Sequence, residues 1–413
     1  MDYDNYWFYI EPYVYISIKG KRVLLFNTLD GEYIMRESDD VADIITSLLS
    51  PSNCGVVLFK YYPNCSDELI SFVNEIREKF MGDIISVNSS LKKPVQPLPN
   101  VHIKQELKKT KTFNSQLIQG TDVLHYLSEI SIFLNTSCNK NCKYCFDYSK
   151  QFLFCSKSKE ENDDEINCLK NMIQFIGEYN FNGQINLFGG DFVWLLNNIE
   201  EVVSILSPII NKCKVYCYYS ALKDVVSTNL FKKEQIILLI DYPIQDDFLN
   251  YVKEQGIKYL NIVIKNEEEF IFFESKFETF QESTEIKYLP FYNGKNEDFF
   301  ITNVFLNKDE ILENPKDMQY IHQNMVLNMY SFGKLLIMSN GDIYSNINST
   351  PIGNVQRDSL LKVIYNELTS PKSSWMKTRT KGKCKGCVFQ YLCPPISNYE
   401  YVFKRFNICQ INE

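Results

Sequence analysis

SCNKNCKYCF, residues 137–146, sets Cys138, Cys142 and Cys145 on one short segment just after ISIFLN (130–135), a run that reads as a β-strand. A closed tetrahedral zinc site wants four protein ligands, and this segment supplies three. A Cys-x3-Cys-x2-Cys spacing can instead wrap three corners of a cubic four-iron cluster, leaving the fourth iron open to a small-molecule ligand. Half of a zinc site, completed from elsewhere in the chain, is the alternative.

Working outward, short apolar runs alternate with amphipathic stretches. QINLFGG (184–190), KVYCYYS (214–220), QIILLID (235–241), YLNIVIK (259–265) and IKYLPFY (286–292) read as further strands. Between the first two strands, Ile166, Leu169, Ile173 and Ile176 keep helical spacing behind Asp163-Asp164. Strand and helix in repetition predict an α/β fold with a parallel sheet, and six units predict a partial (β/α)6, TIM-like barrel over residues 126–305. Chemistry in such folds sits at the C-terminal ends of the strands. The cysteine segment follows the first strand, and Gly189, Gly190 and Asp191 close the second. Asp241 ends the fourth, as a substrate contact or as a turn or N-cap residue ahead of Pro243.

Composition narrows the class. The chain has 413 residues, 45% hydrophobic and 23% charged, which suffices for two or three domains with real cores. A net charge of -8 supplies no basic face for nucleic acid. MDYDNYWFYI at the N-terminus lacks the pattern of a signal peptide, and no run approaches the length of a membrane span, so a cytoplasmic protein is expected. Thiols stay reduced there, so thirteen cysteines point to metal or redox chemistry rather than to disulfides. The three histidines, His102, His125 and His322, are too scattered for a histidine-based zinc hydrolase. Cys54, Cys65, Cys155, Cys168, Cys213 and Cys217 show no cluster spacing and are expected to be structural.

Residues 1–91 read as a small β+α, winged-helix-like domain. YVYISI (13–18), RVLLFN (22–27) and EYIM (32–35) form a meander with turns at Lys19-Gly20-Lys21 and Asp30-Gly31. Helices follow on Val41, Ile44, Ile45, Leu48 and Leu49, and on Leu69, Phe72, Val73, Ile76 and Phe80, with Ser66 as N-cap of the second. Residues 92–125 are polar, proline-bearing and lysine-rich, as a linker is. Residues 306–413 form a cysteine-rich extension. In it Cys384, Cys387, Cys393 and Cys409 make a full ligand set for one metal centre, either a cluster or a zinc ion.

The triad, Tyr144 before its last cysteine, Phe146 after it, and Gly-Gly-Asp at the second strand end together resemble the radical S-adenosylmethionine superfamily. The resemblance implies a 4Fe-4S cluster on Cys138, Cys142 and Cys145 as the catalytic centre, with S-adenosyl-L-methionine chelated at its open iron. Tyr144, Gly189, Gly190 and Asp191 would be cofactor-binding, Asp191 standing where glutamate is usual, and Ser220 would contact the nucleoside. Cys384, Cys387, Cys393 and Cys409 resemble the second-cluster ligands of a SPASM extension and imply one auxiliary 4Fe-4S cluster. Ser397 and Asn346 stand where that pattern places further cysteines, so the first auxiliary cluster is expected to be missing.

The N-terminal module resembles the leader-recognition domains of ribosomal peptide pathways. FQYLCPPISNYE (389–400) resembles companion proteins of Bacteroidetes peptide-maturation systems, some of which have lost their barrel cysteines. Together these resemblances imply an enzyme that cleaves S-adenosylmethionine to a 5'-deoxyadenosyl radical and modifies a precursor peptide bound by its leader. Its implied partners are that peptide, a small electron donor such as flavodoxin or ferredoxin, and a second radical S-adenosylmethionine protein. The alternative is a catalytically silent iron-sulfur accessory that presents the leader to such a second enzyme.

Overall fold

The computed structural model describes residues 5–60, 65–89, 92–97, 127–134, 151–153, 164–179, 181–189, 192–278, 280 and 284–411. The N-terminal module holds two three-stranded antiparallel sheets. The strands β2 (Val14–Lys19), β3 (Arg22–Asn27) and β4 (Tyr33–Glu37) form the expected meander. The strand β1 (Asn5–Ile10) is the centre of a second sheet between β5 (Val56–Lys60) and β6 (Gly82–Ser86). This second sheet was not expected from the sequence, because its partners lie far from β1 in the chain: Phe8 pairs with Val57 and with Ile84. The two expected helices span Asp39–Leu49 and Asp67–Glu78, and Ser66 caps the second by accepting from the Leu69 amide.

One apolar run of the module has a double task. Val23 and Leu25 of β3 join Phe8, Ile45 and Phe72 in the module's own core. Leu24 and Phe26, pointing the other way, pack with Tyr15 against Ile311, Leu312, Val388, Phe389 and Leu392 of the C-terminal extension. Both faces of β3 are covered, which is why RVLLFN is apolar without alternation.

The main sheet contains six consecutive parallel strands in chain order: β7 (Glu129–Phe133), β8 (Gln184–Phe188), β9 (Cys213–Tyr218), β10 (Ile236–Asp241), β11 (Tyr259–Ile264) and β12 (Glu285–Pro290). Beyond β7, β13 (Lys334–Ile337) adds in parallel, then β14 (Asp342–Tyr344) and β15 (Gly353–Asn354) antiparallel. The sheet thus continues into the C-terminal extension. Helices such as Glu165–Gly177, Asp246–Gln255 and Glu267–Phe277 intervene between the parallel strands. Asp164 caps the first, accepting from the Asn167 amide.

Alternation along the strands divides the sheet into two faces. Ile130, Ile132, Ile185, Leu187, Val215, Leu238 and Ile262 face the helices and form the largest core. Glu129, Ser131, Asn186, Tyr216, Asn261 and Lys287, offset by one residue, occupy the opposite face, which is far more polar. Two strands end earlier than the sequence suggests. The second stops at Phe188, before Gly189; the third stops at Tyr218, so that Ser220 falls, exposed, in a single turn, Tyr219–Ala221, whose Ala221 is buried.

The extension is anchored to the sheet at Trp375. This side chain is fully buried and donates its Nε1 hydrogen to the Lys334 carbonyl at 3.0 Å. Buried Glu367 accepts from the amides of Ser374 and Trp375 and from the Ser373 hydroxyl, fixing the turn that delivers the indole. Of the non-cluster cysteines, Cys168, Cys213 and Cys217 are buried as expected, whereas Cys54 is exposed with φ +52° at the end of a short turn. Its place in the turn Pro51–Asn53 overrides the general preference of cysteine for the interior. Among the described residues no helix is long and apolar enough to cross a membrane.

Candidate cluster-binding site

Cys138, Cys142, Tyr144, Cys145, Gly190 and Asp191 lie outside the described residues, and Cys155 with them. The elements that lead to them are described and are side by side. β7 and β8 pair in register so that Phe133 is opposite Phe188, and their rings stack with centroids 5.1 Å apart. Leu134 then donates its amide to the Phe188 carbonyl at 2.7 Å. The chain entering the cysteine segment and the chain reaching Gly189 therefore leave the sheet next to each other, at the C-terminal ends of adjacent parallel strands. Gly189 accepts from the Phe192 amide at 3.1 Å. Asp241 accepts the hydroxyl hydrogen of Tyr218 from the neighbouring strand end, and the following helix takes Gln245 as its N-cap, so Asp241 is not a cap.

The C-terminal cysteines converge. Cys384, Cys387, Cys393 and Cys409 line one cavity of about 250 Å³, walled also by Arg379, Glu400 and Ser397. Cys384 and Cys387 sit on a short turn, Gly382–Gly386 and the residue after it. Cys393 follows the turn at Phe389, and Cys409 arrives on an extended segment that bridges Leu306. Four sulfur donors on three backbone segments thus line one cavity. Among the described residues no three His, Cys, Asp or Glu side chains are gathered so as to hold a single metal ion.

The walls are cationic. Arg379 threads between the segments carrying the cysteines: Nε donates to the Pro394 carbonyl (2.6 Å), Nη1 to Phe406 (3.0 Å) and Nη2 to Glu400 Oε1 (2.5 Å). Burial opposes its charge, but Glu400 and the Cys393 and Cys384 sulfurs outweigh that and raise its pKa. Burial pushes the Cys393 thiol up to about 12 and also raises Cys384, while Arg379 pulls both down. Buried Lys316 donates to the Ile311 and Asn314 carbonyls and adds a second positive charge on the Cys393 side. Lys19 of β2 reaches the same wall, donating to the Lys385 carbonyl at 2.9 Å and to Gln390 Oε1 at 2.8 Å.

The two positions without cysteine have other tasks. Ser397 caps the helix Asn398–Val402, donating its hydroxyl to Glu400 Oε2 at 2.7 Å and its amide at 2.6 Å. Asn346 is buried and donates to Ser331 Oγ at 3.3 Å and Asn398 Oδ1 at 3.0 Å. Sequence reasoning missed Arg379, Glu400, Lys19 and Gln390. Only Glu400 carried a signal, since Ser397-Asn398-Tyr399-Glu400 has the spacing of a capping box.

No protein-family model matches the chain, and no curated protein matches it. Several solved structures are similar. Streptococcus suis SuiB, in a crystal structure bound to S-adenosylmethionine, aligns with a TM-score of 0.44 and 14% identity over 98% of this chain and 100% of that one. SuiB bound to its precursor peptide SuiA aligns with a TM-score of 0.43 at 14% identity, over 98% and 100% of the two chains. Native anSMEcpe with bound AdoMet aligns with a TM-score of 0.41 and 14% identity over 67% of this chain and 95% of that one. Likeness at this level assigns neither cofactor nor reaction to the present chain.

Proposed function

We propose that the protein is a cytoplasmic radical S-adenosylmethionine enzyme that modifies a ribosomally made precursor peptide. The observation that carries this reading is the adjacency of the two strand exits. The Cys-x3-Cys-x2-Cys segment and the Gly189-Gly190-Asp191 segment continue from β7 and β8, whose last residues are in register and hydrogen-bonded. The six parallel strands in chain order form, on this reading, a partial (β/α)6 barrel, with chemistry at its C-terminal rim.

Cys138, Cys142 and Cys145 would hold a four-iron cluster, and Gly189, Gly190 and Asp191 the methionyl group of S-adenosylmethionine, with Tyr144 and Ser220 as further cofactor contacts. Such a cluster, reduced by a flavodoxin or ferredoxin, would supply the electron for reductive cleavage of S-adenosylmethionine to the 5'-deoxyadenosyl radical and methionine. Cys384, Cys387, Cys393 and Cys409 would hold one auxiliary four-iron cluster. A zinc ion held by the same four thiols is the alternative. With each iron held by a cysteine, such a cluster would suit electron transfer. The outer strands of the module's two sheets suit pairing with an extended leader.

The test is anaerobic incubation of the reconstituted, dithionite-reduced protein with S-adenosylmethionine, reading 5'-deoxyadenosine. Wild type should form it, and Cys138→Ala, Cys142→Ala and Cys145→Ala should not. Release from any of these variants at the wild-type rate refutes the assignment. A wild-type protein that binds iron but forms none would instead fit the accessory role, presenting the leader to a second radical S-adenosylmethionine protein.

A further inference from the structure

Residues 372–405 carry eight Lys and Arg side chains against one acidic residue, Glu400, in a chain whose net charge is -8. Glu400 is buried and engaged with Arg379, so it offsets none of the exposed charge. Two of the other cations are also engaged: Lys377 donates to the Tyr401 hydroxyl at 2.9 Å, and Arg405 pairs with Glu297 at 3.1 Å. Lys381, Lys383 and Lys385 stand within five positions of one another on the turn that carries Cys384. All three are exposed, and among the described residues none enters an ion pair. Burial, and then the charge of Lys381, hold the Lys377 pKa down, so the like charges are close enough to act on one another. Lys19 of β2 brings a further ammonium to the same turn through its bonds to the Lys385 carbonyl and Gln390 Oε1.

A concentrated patch of one sign repels itself, but it raises the local density of oppositely charged partners and speeds their encounter. Its position narrows the class of partner. Lys383 and Lys385 are the immediate chain neighbours of Cys384, with consecutive Cα atoms about 3.8 Å apart. Lys383 also lines the cavity of the four C-terminal cysteines, of which Cys387 and Cys409 are half-buried rather than sealed. A protein seated on these lysines therefore rests against the wall of the thiol site. Electron tunnelling falls off steeply with distance, so an electron carrier needs that approach, whereas a nucleic acid has no use for the thiols.

We propose that the turn carrying Lys381, Lys383 and Lys385, together with Lys19, is the docking face for an acidic electron-carrier protein, a small flavin or iron-sulfur protein with a negative surface. The proposal rests on the reading of the C-terminal cysteines as an electron-transfer site. Redox encounters of this kind bury little area and depend on charge, so the binding should be weak and salt-sensitive.

The experiment is calorimetric titration of the reconstituted full-length protein with a bacterial flavodoxin and a bacterial ferredoxin, with oligothymidylate as the polyanion control. At least one carrier should bind at low salt, and about tenfold or more weakly at about 0.3 M salt. Reversing three charges together, by Lys381→Glu, Lys383→Glu and Lys385→Glu, should weaken binding about tenfold or more. Lys170→Glu, Lys233→Glu and Lys253→Glu, the same charge change at exposed positions elsewhere, should weaken it less than about threefold. Lys381→Glu alone, three residues before Cys384, should cost about threefold, and it decides the matter if the triple variant does not fold or does not keep its iron. No binding of either carrier, equal loss in the two triple variants, or oligothymidylate bound as tightly as the carriers overturns the proposal. Metal analysis of the same samples separates it from the reading beneath: zinc at the C-terminal site overturns that reading, whereas two clusters without patch-dependent binding overturn the docking face alone.

Discussion

Arg379 and Glu400 form an ion pair of 2.5 Å whose side chains are 10% and 0% exposed, directly beside the four C-terminal cysteines. Such a pair adds little over an apolar substitute, but removing one partner strands the other charge. Arg379 also holds the carbonyls of Pro394 and Phe406, which flank Cys393 and Cys409 in sequence. Arg379→Met should therefore cost about 3–5 kcal/mol and lower the iron retained at the C-terminal site. Arg379→Lys restores the charge but not the forked geometry, so stability should recover more than iron retention. Denaturant unfolding paired with metal analysis checks this, and equal recovery of both by lysine would contradict the stapling role.

The N-terminal module is structurally joined to the extension, so deleting residues 1–91 cannot be a clean test of leader recognition. Tyr15, Leu24 and Phe26 cover Val388, Phe389 and Leu392. Each large apolar side chain uncovered costs about 1.5–3 kcal/mol. The truncated chain should melt lower and aggregate, whereas Lys19→Met, which loses only the bonds to Lys385 and Gln390, should cost about 1–2 kcal/mol. A double-mutant cycle between Leu24→Ala and Leu392→Ala should show coupling above about 0.5 kcal/mol. Strict additivity would mean that the two surfaces do not depend on each other.

The parts of this architecture that sequence alone conveyed are the ones governed by local pattern. Six apolar runs with Gly, Pro or polar punctuation became β7 to β12, and Ser66 and Asp164 announced their helices by cap chemistry. The β1–β5–β6 sheet stayed hidden because its pairings span 50 residues or so on one side and 75 or so on the other, and no local signal encodes such a distance. The clustering of Cys384, Cys387 and Cys393 was legible from spacing, and their company with Cys409 only from a count of ligands. Arg379 was not legible, since its role comes from carbonyls at Pro394, Pro395 and Phe406 that it meets only in the fold.

Alkaline stability follows from a buried thiol. Cys213 starts β9, is 2% exposed, and burial raises its pKa from 9.0 to about 12. Thiolate forms in the unfolded chain above about pH 9 but not in the folded one until about pH 12. The folded state then binds more protons, so stability is intact below pH 9 and is lost progressively as pH rises toward 12, by up to about 1.4 kcal/mol per pH unit. Half-buried Tyr216, also pushed up to about 12 by burial, adds to the slope from about pH 10. Cys213→Ala should be less stable at neutral pH but flatter between pH 9 and 10, measured by urea unfolding. An unchanged slope in that window would mean that Cys213 ionises freely in the folded protein.

The metal inventory tests the whole arrangement of cysteines, those present and those replaced. Three thiolates at 138, 142 and 145 and four at 384, 387, 393 and 409 can hold two four-iron clusters, so reconstituted protein should carry about eight irons. Ser397 and Asn346 are committed to Glu400 and Asn398, and neither can serve a third cluster as a thiolate would. Replacing Cys384, Cys387 and Cys393 together with alanine should leave about four irons and an intact cofactor-binding signal in the electron paramagnetic resonance spectrum. Turnover should fall wherever an electron must leave the product radical. Wild-type protein with about four irons and one zinc, the zinc being lost on that triple substitution, would make the C-terminal site a structural clip and remove its electron-transfer role.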